Sequence, residues 1–323
     1  MKTFTQRKLH GVDRVLVIRG GAIGDFVLTL PAIKLLRERW PEARLEILGY
    51  QQIAALAENR FYADAVRSLE DGALASFFVK GAELPREFRA YFGSFDLIVS
   101  YLYDPERVFE TNIRRCGAGR FRACSPKITD DKHAARQLAA PLEELELKLS
   151  SPAAELFPND DDHAAAATLL PERSKPLIAL HPGSGSATKN WPLGYWVELG
   201  NRLTAPDARL VVIAGEAERA QLAELHRAWS DLPVSYVVDQ PLPHVAAVIA
   251  RCALFIGHDS GISHIAAAVG TSSLLLFGPS DPAVWAPQNS RVHVLRARSG
   301  VVGDLQPGAV RQAWANLSAA AKS

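Results

Sequence analysis

The sequence predicts an α/β protein built on two parallel-sheet cores, and three observations predict it. Short apolar runs rich in Val, Ile and Leu alternate with stretches of helical character, the pattern of sheets covered by crossover helices. The chain has 323 residues, 48% of them hydrophobic and 22% charged, which is long enough for two cores rather than one. A proline-rich, acidic stretch at 150–176, SSPAAELFPNDDDHAAAATLLPERSKP, separates two halves with the same rhythm.

In the first half, RVLVIR (14–19) reads as a buried strand, followed by a helix to about Trp40 and a second strand in RLEILGY (44–50). FDLIVSYL (95–102) is a third strand. The 150–176 stretch reads as an interdomain connection with a short helix inside it. The second half restarts with PLIALHPG as a strand, a helix from about Pro192, ARLVVIAGE as a strand and a helix through 217–229. A helix near 242–252, the strand LFIGHDSG, another helix and the strand SSLLLFGP complete the rhythm. PGAVRQAWANLSAAAKS reads as a last helix, whose packing partner is not legible. The expected organisation is a first domain over 1–155, a linker over 156–175, a second domain over 176–306 and a C-terminal helix over 307–323.

Composition excludes several classes. A formal net charge of +1 gives no global field for nucleic acid, so an anionic partner would be met by a local patch. Cys116, Cys124 and Cys252 form no even framework and no CxxC pair, against a disulfide scaffold or a zinc site. The N-terminal MKTFTQRKLHGVDR lacks an apolar signal core, and no run reaches the roughly 18 apolar residues of a membrane span. A cytoplasmic location is the expectation.

In open parallel sheets ligands bind beyond the carboxyl ends of the strands, so those ends carry the candidate chemistry. The first, RGGAIGD (19–25), supplies GxxG but not GxGxxG, and the second strand ends in GYQQ without an acid for a ribose, against a dinucleotide fingerprint. Asp25 follows the glycine turn and opens an apolar helix. Two readings stay open for it: a first-turn acid worth about 0.3–1 kcal/mol against the helix dipole, or a carboxylate held out for chemistry.

HPGSGSATKNWP (181–192) lies between a strand and a helix. Gly183 and Gly185 let backbone amides curl around an anion, with Lys189 before the helix start, which suits a phosphate; a flexible loop with a solvated lysine is the alternative. GHDSGISHIAAAVG (257–270) offers a second cradle, with Asp259 after a strand and Ser260 and Gly261 leading into a helix whose first-turn amides are open. Its His264, near a helix N-terminus, is expected to be neutral. The alternatives are an N-cap role for Asp259 and a structural role for His264. No GxSxG elbow follows a strand, against a serine hydrolase.

Taken together, GGAIGDFVLTLPAIKLLRERWPEA, HPGSGSATKNWP and FIGHDSGISHIAAAVGTSSLLLFGPSDPAVWAP, in that order and spacing, resemble the family 9 glycosyltransferases, the heptosyltransferases of lipopolysaccharide assembly. The resemblance covers most of the chain, is strongest in the C-terminal half and is thinnest between residues 60 and 150. It implies the GT-B architecture: two Rossmann-like domains with parallel sheets facing across a cleft, the first mostly for acceptor and the second mostly for the nucleotide sugar. It also implies inverting, metal-independent transfer of heptose from ADP-L-glycero-D-manno-heptose to a lipopolysaccharide core acceptor, lipid A/Kdo or heptose, with no cofactor.

On the matching positions, Asp25 corresponds to the catalytic base, with Gly24 beside it on the acceptor side. Lys189 corresponds to the phosphate-binding lysine within the loop of Gly183 and Ser184, and Ser260 and Gly261 to the diphosphate cradle. Asp259 is then expected near donor sugar hydroxyls, His264 near the phosphates and Glu216 near the donor ribose or base. His258 departs from the family pattern, since many members carry asparagine there. Arg114, Arg115, Arg120 and Arg122 in RVFETNIRRCGAGRFRACSPK would meet phosphates of a lipid-linked acceptor or the anionic inner leaflet, the alternative being a solvated basic face. Rival readings are a family 9 transferase using another nucleotide sugar, a GT-B sugar-nucleotide epimerase without acceptor dependence, and a silent nucleotide-sugar-binding protein.

Overall fold

Each half of the chain places its most apolar strands at the middle of a sheet. In the computed structural model, which describes residues 11–170, 175–204 and 208–320, the first sheet holds β1 (Arg14–Arg19), β2 (Arg44–Gly49), β3 (Ala65–Ser68), β4 (Leu97–Ser100) and β5 (Arg120–Ala123), all parallel, in the order β3-β2-β1-β4-β5. The helices of this half are α1 (Ile23–Arg39), α2 (Gln51–Ala54), α3 (Arg86–Gly93) and α4 (Val108–Arg115). Val15 to Ile18 are buried without a break, as a central parallel strand covered on both faces requires. Phe77, Phe88, Phe92 and Phe109 form an edge-to-face cluster under α3 and α4. The third expected strand is shorter than FDLIVSYL: pairing stops at Ser100, and Tyr101 turns its hydroxyl to the Leu138 carbonyl at 3.0 Å.

α5 (Ala134–Ala139) and α6 (Asp160–Leu169) lead into the second sheet: β6 (Leu177–Leu180), β7 (Arg209–Ala214), β8 (Val234–Val238), β9 (Leu254–His258), β10 (Ser273–Phe277) and β11 (Val292–Arg296). Its order is β11-β10-β9-β6-β7-β8, again all parallel. Its helices are α7 (Leu193–Leu203), α8 (Arg219–Ala228), α9 (Leu242–Ala250), α10 (Gly261–Ala268), α11 (Pro282–Trp285) and α12 (Pro307–Ala320).

The acidic knot of the connection is the start of α6: Asn159 accepts from the Asp162 N–H at 3.0 Å while the Asp162 carboxylate accepts from the Asn159 N–H at 2.9 Å, a reciprocal cap. α6 packs on α9. The last helix packs on α7, with Val310 fully buried and Trp314 and Leu317 against the second core.

Contacts divide the chain into two units that do not follow a single break: one takes residues up to Gly21, Ala32–Ile128 and Leu138–Lys148, the other Ala22–Pro31, Thr129–Gln137 and Leu149 onward. The opening turns of α1 therefore belong to the second unit. All three cysteines are free thiols, and no described helix is long and apolar enough to cross a membrane.

Candidate functional site

The strand order of the second sheet reverses direction between β6 and β9, the topological switch point where open α/β sheets take ligands. The two segments singled out in the sequence leave from the carboxyl ends of these two neighbouring strands. The loop after β6 carries Lys189, and Asp259 follows β9 directly. Lys189 Nζ meets Asp259 Oδ2 at 2.6 Å, with the carboxylate nearly buried. A charge-assisted contact of this kind fixes the ammonium beside the N-terminus of α10.

That terminus is capped by Ser260, whose Oγ accepts from the Ser263 N–H, so the cap is Ser260 and not Asp259. Gly261 opens the helix in close contact with the turn before Asp25: a Cβ there would lie 2.5 Å from Ile23 Cβ and 3.1 Å from the Gly24 nitrogen. Gly24 in turn lies against the ring of His264, whose Cδ2 would be 3.4 Å from a Cβ on Gly24. Within the second unit the structure thus brings together Gly24, Lys189, Asp259, Ser260, Gly261 and His264, with Asp25 next along the chain from Gly24.

Asp25 is half-buried at the third position of α1, and its Oδ2 accepts from the Ala22 N–H at 2.9 Å. That is the returning arm of a capping box, so one carboxylate oxygen helps hold the turn that presents the group. Thr29 Oγ1 donates to the Asp25 carbonyl at 2.7 Å, and Phe26, Val27, Leu28, Leu30 and Ile33 anchor the helix.

His264 is buried, and desolvation pushes its pKa down to about 4 even though the Asp259 and Asp25 carboxylates pull it upward. Burial, rather than its place in the first turn, is what disfavours the charged imidazole.

The loop after β6 is shaped by close approach. A Cβ on Gly183 would lie 1.9 Å from Glu218 Oε1, so any side chain there would have to displace that buried carboxylate. Gly185 has φ +70°, the left-handed region that favours glycine. Ser184 Oγ turns back into its own loop, 2.8 Å from the Ser186 carbonyl and 2.6 Å from Asn190 Oδ1, so its single proton is kept within the loop.

Glu216 stands exposed on the turn after β7, while Glu218 is the buried acid of that turn, its Oε2 accepting from the Gly215 N–H at 2.8 Å. Sequence reasoning missed Glu218; the signal available was its spacing, three residues after Gly215 at a helix start. His181, which follows β6, was passed over, and His258, which ends β9, was noted only as a departure from the family pattern, with no role assigned. His181 is fully desolvated with a lowered pKa, and its Nδ1 lies 2.9 Å from the Ile213 carbonyl.

The four arginines lie in the first unit. Arg114 pairs with the buried Glu110, which Arg107 also grips, Arg122 with Glu144, and Arg115 donates to the Ala82 carbonyl. Arg114, Arg120 and Arg122 line one hollow, and Arg115 points to the 79–82 segment. Beyond the ends of β4 and β5 lies a pocket of about 290 Å³ lined by Tyr103, Asp104, Arg107, Phe121 and Ser125 among others. Tyr103 is 60% exposed, and the Lys127 ammonium sits 4.3 Å from its ring centre.

The family model for glycosyltransferase family 9 (heptosyltransferase) matches residues 126–306. Lipopolysaccharide heptosyltransferase 2 of Salmonella typhimurium is 29% identical over 134 residues, a match spanning 39% of this chain and only 38% of that protein's length. Lipopolysaccharide heptosyltransferase 3 of Escherichia coli is 25% identical over 298 residues, 83% of this chain and 84% of that one. The solved ADP-heptose lipopolysaccharide heptosyltransferase II of E. coli has a TM-score of 0.79 over 96% of this chain and 100% of its own, at 16% identity, a likeness of fold. Two parallel-sheet α/β units of the GT-B fold class, and a family match over more than half of the residues, lead to one conclusion: the chain belongs to glycosyltransferase family 9, the heptosyltransferases.

Proposed function

We propose that the protein is an inverting, metal-independent heptosyltransferase that takes heptose from ADP-L-glycero-D-manno-heptose and adds it to a lipid-linked lipopolysaccharide core acceptor, lipid A/Kdo or heptose. The observation that carries this reading is the Lys189–Asp259 pair at 2.6 Å beside the start of α10, with the turn before Asp25 packed on Gly261. A diphosphate leaving group needs charge stabilisation more than a proton, and Lys189 with the first-turn amides of α10 supplies it. Asp25 then takes the proton of the acceptor hydroxyl as that oxygen attacks the anomeric carbon. The carbon–phosphate oxygen bond breaks with its electron pair leaving on ADP. One displacement inverts the anomeric centre.

Gly183, Ser184, Ser260, Gly261 and His264 complete the donor side in this proposal, within the domain over 176–306, and Asp259 orients Lys189 and a donor hydroxyl. The ribose-facing acid expected at Glu216 has Glu218 beside it as the buried partner of the loop. The acceptor is assigned to the first domain, 1–155, where the pocket of Tyr103, Asp104 and Arg107 and the arginines 114, 115, 120 and 122 offer an aromatic face and cationic groups. A cytoplasmic enzyme at the inner face of the inner membrane follows from such an acceptor.

The test is calorimetric titration with ADP, UDP, GDP and CMP, in EDTA and then with magnesium. Preference for ADP without metal supports the proposal, and Lys189→Ala is expected to weaken ADP by about ten- to a hundredfold, the worth of a charged hydrogen bond. Preference for UDP would keep the fold and overturn the donor.

A further inference from the structure

His258 ends β9 with its side chain fully buried. The backbone N–H of Trp191 can only donate, so the ring nitrogen it meets at 2.8 Å, Nε2, carries the lone pair. The ring proton therefore sits on Nδ1, which lies 3.3 Å from the Gly183 carbonyl. One neutral imidazole holds both ends of the segment 183–191, and Lys189 lies between the two anchor points.

Trp196 packs edge-on against the ring, centroids 5.3 Å apart at 85°, and fixes its tilt. On the backbone side, the His258 carbonyl accepts the Ser263 hydroxyl of α10. The residue therefore ties the lysine loop through its ring and the helix start through its carbonyl. Desolvation pushes its pKa down to about 3, so the donor-and-acceptor state of the ring persists at neutral pH.

We propose that His258 is a positioning residue for a nucleoside diphosphate: it sets where the Lys189 loop stands relative to α10, and it acts on the phosphates only through Lys189. The inference rests on the reading of this site as the donor site. The chemistry separates into halves by substitution. Asparagine carries an N–H donor near the place of Nδ1 and keeps the Gly183 contact alone. Glutamine carries an acceptor to the place of Nε2 and keeps the Trp191 contact alone, and leucine keeps neither.

Two measurements on the full chain test it. Without ligand, deuterium uptake over 183–191 is expected to rise in the order wild type, then His258→Asn and His258→Gln, then His258→Leu. With ligand, His258→Leu is expected to weaken ADP about tenfold, and by less than about twofold in a Lys189→Ala background, with adenosine affinity unmoved. Unchanged uptake over 183–191, or an equal loss of ADP affinity in both backgrounds, overturns the proposal. Where the leucine variant does not fold, the asparagine and glutamine variants carry the same comparison. A wild type that binds no ADP would sink the donor reading, whereas the exchange data decide the anchoring role independently.

Discussion

Gly183 and Glu218 show how one residue's absence of a side chain supports a site. The Glu218 carboxylate occupies the space that a Cβ on Gly183 would need, and it holds the turn after β7 through the Gly215 N–H. Gly183→Ala is expected to cost about 1–3 kcal/mol of stability, the range for overpacking a closed site, and to disturb the lysine loop. Glu218→Ala in the same chain should recover part of it, read from urea unfolding; the lack of any recovery would place the strain elsewhere. At this scale the sequence was legible where a residue type has one chemistry in one place. Asp259 and Ser260 follow the end of β9 directly, Lys189 sits in the loop after β6, and the structure places them together. Glu218 and His258 were not legible, because their roles come from what folds against them. A buried acid and an exposed acid two residues apart in GEAE look alike until the turn is known.

Among the elements, the expected strands and the missed strands divide by their place in the sheet. β1, β2, β4, β6, β7, β9 and β10 read as apolar runs because parallel neighbours and helices cover them. The four strands not anticipated, β3, β5, β8 and β11, are the four edges and stay mostly half-exposed; AVRS, RFRA and VHVLR lack an apolar run, while VSYVV of β8 is apolar but short. The basic segment around β5 was legible as charge but not as pairing. α4 turns Arg114 onto Glu110, β5 turns Arg122 onto Glu144, and this leaves less cationic field than four solvated arginines would give. Replacing Arg114, Arg115, Arg120 and Arg122 with alanine is expected to lower sedimentation with anionic vesicles by more than with neutral ones. Equal sedimentation of the two proteins would remove the membrane contact from the account.

Over the whole molecule, the histidines with a lowered pKa gather in the second unit. His133, His181, His258 and His264 all belong to it, and desolvation is the largest cause of the lowered pKa of each. The folded chain refuses protons that the unfolded chain accepts below about pH 6.5, the ordinary histidine value. Stability therefore rises with pH across that window, by up to about 1.4 kcal/mol per pH unit for each such proton, and falls as pH drops from 6.5 toward the folded values. Urea midpoints are expected to fall between pH 7 and pH 5, above the carboxylate range. Constant midpoints over that interval would show that these rings are solvated.

In the proposed mechanism Asp25 performs the chemistry while Lys189 and α10 hold the donor. The decisive comparison is of wild type and Asp25→Ala with ADP-heptose and a lipopolysaccharide core acceptor in EDTA. Transfer and ADP binding are measured in the same preparation, and the anomeric configuration of the product is assigned. Wild type is expected to give an inverted product, and Asp25→Ala to keep ADP affinity within about twofold while transfer slows by about 10²–10⁴-fold, the worth of a general base. Undiminished transfer by Asp25→Ala, or a product of retained configuration, would contradict this mechanism.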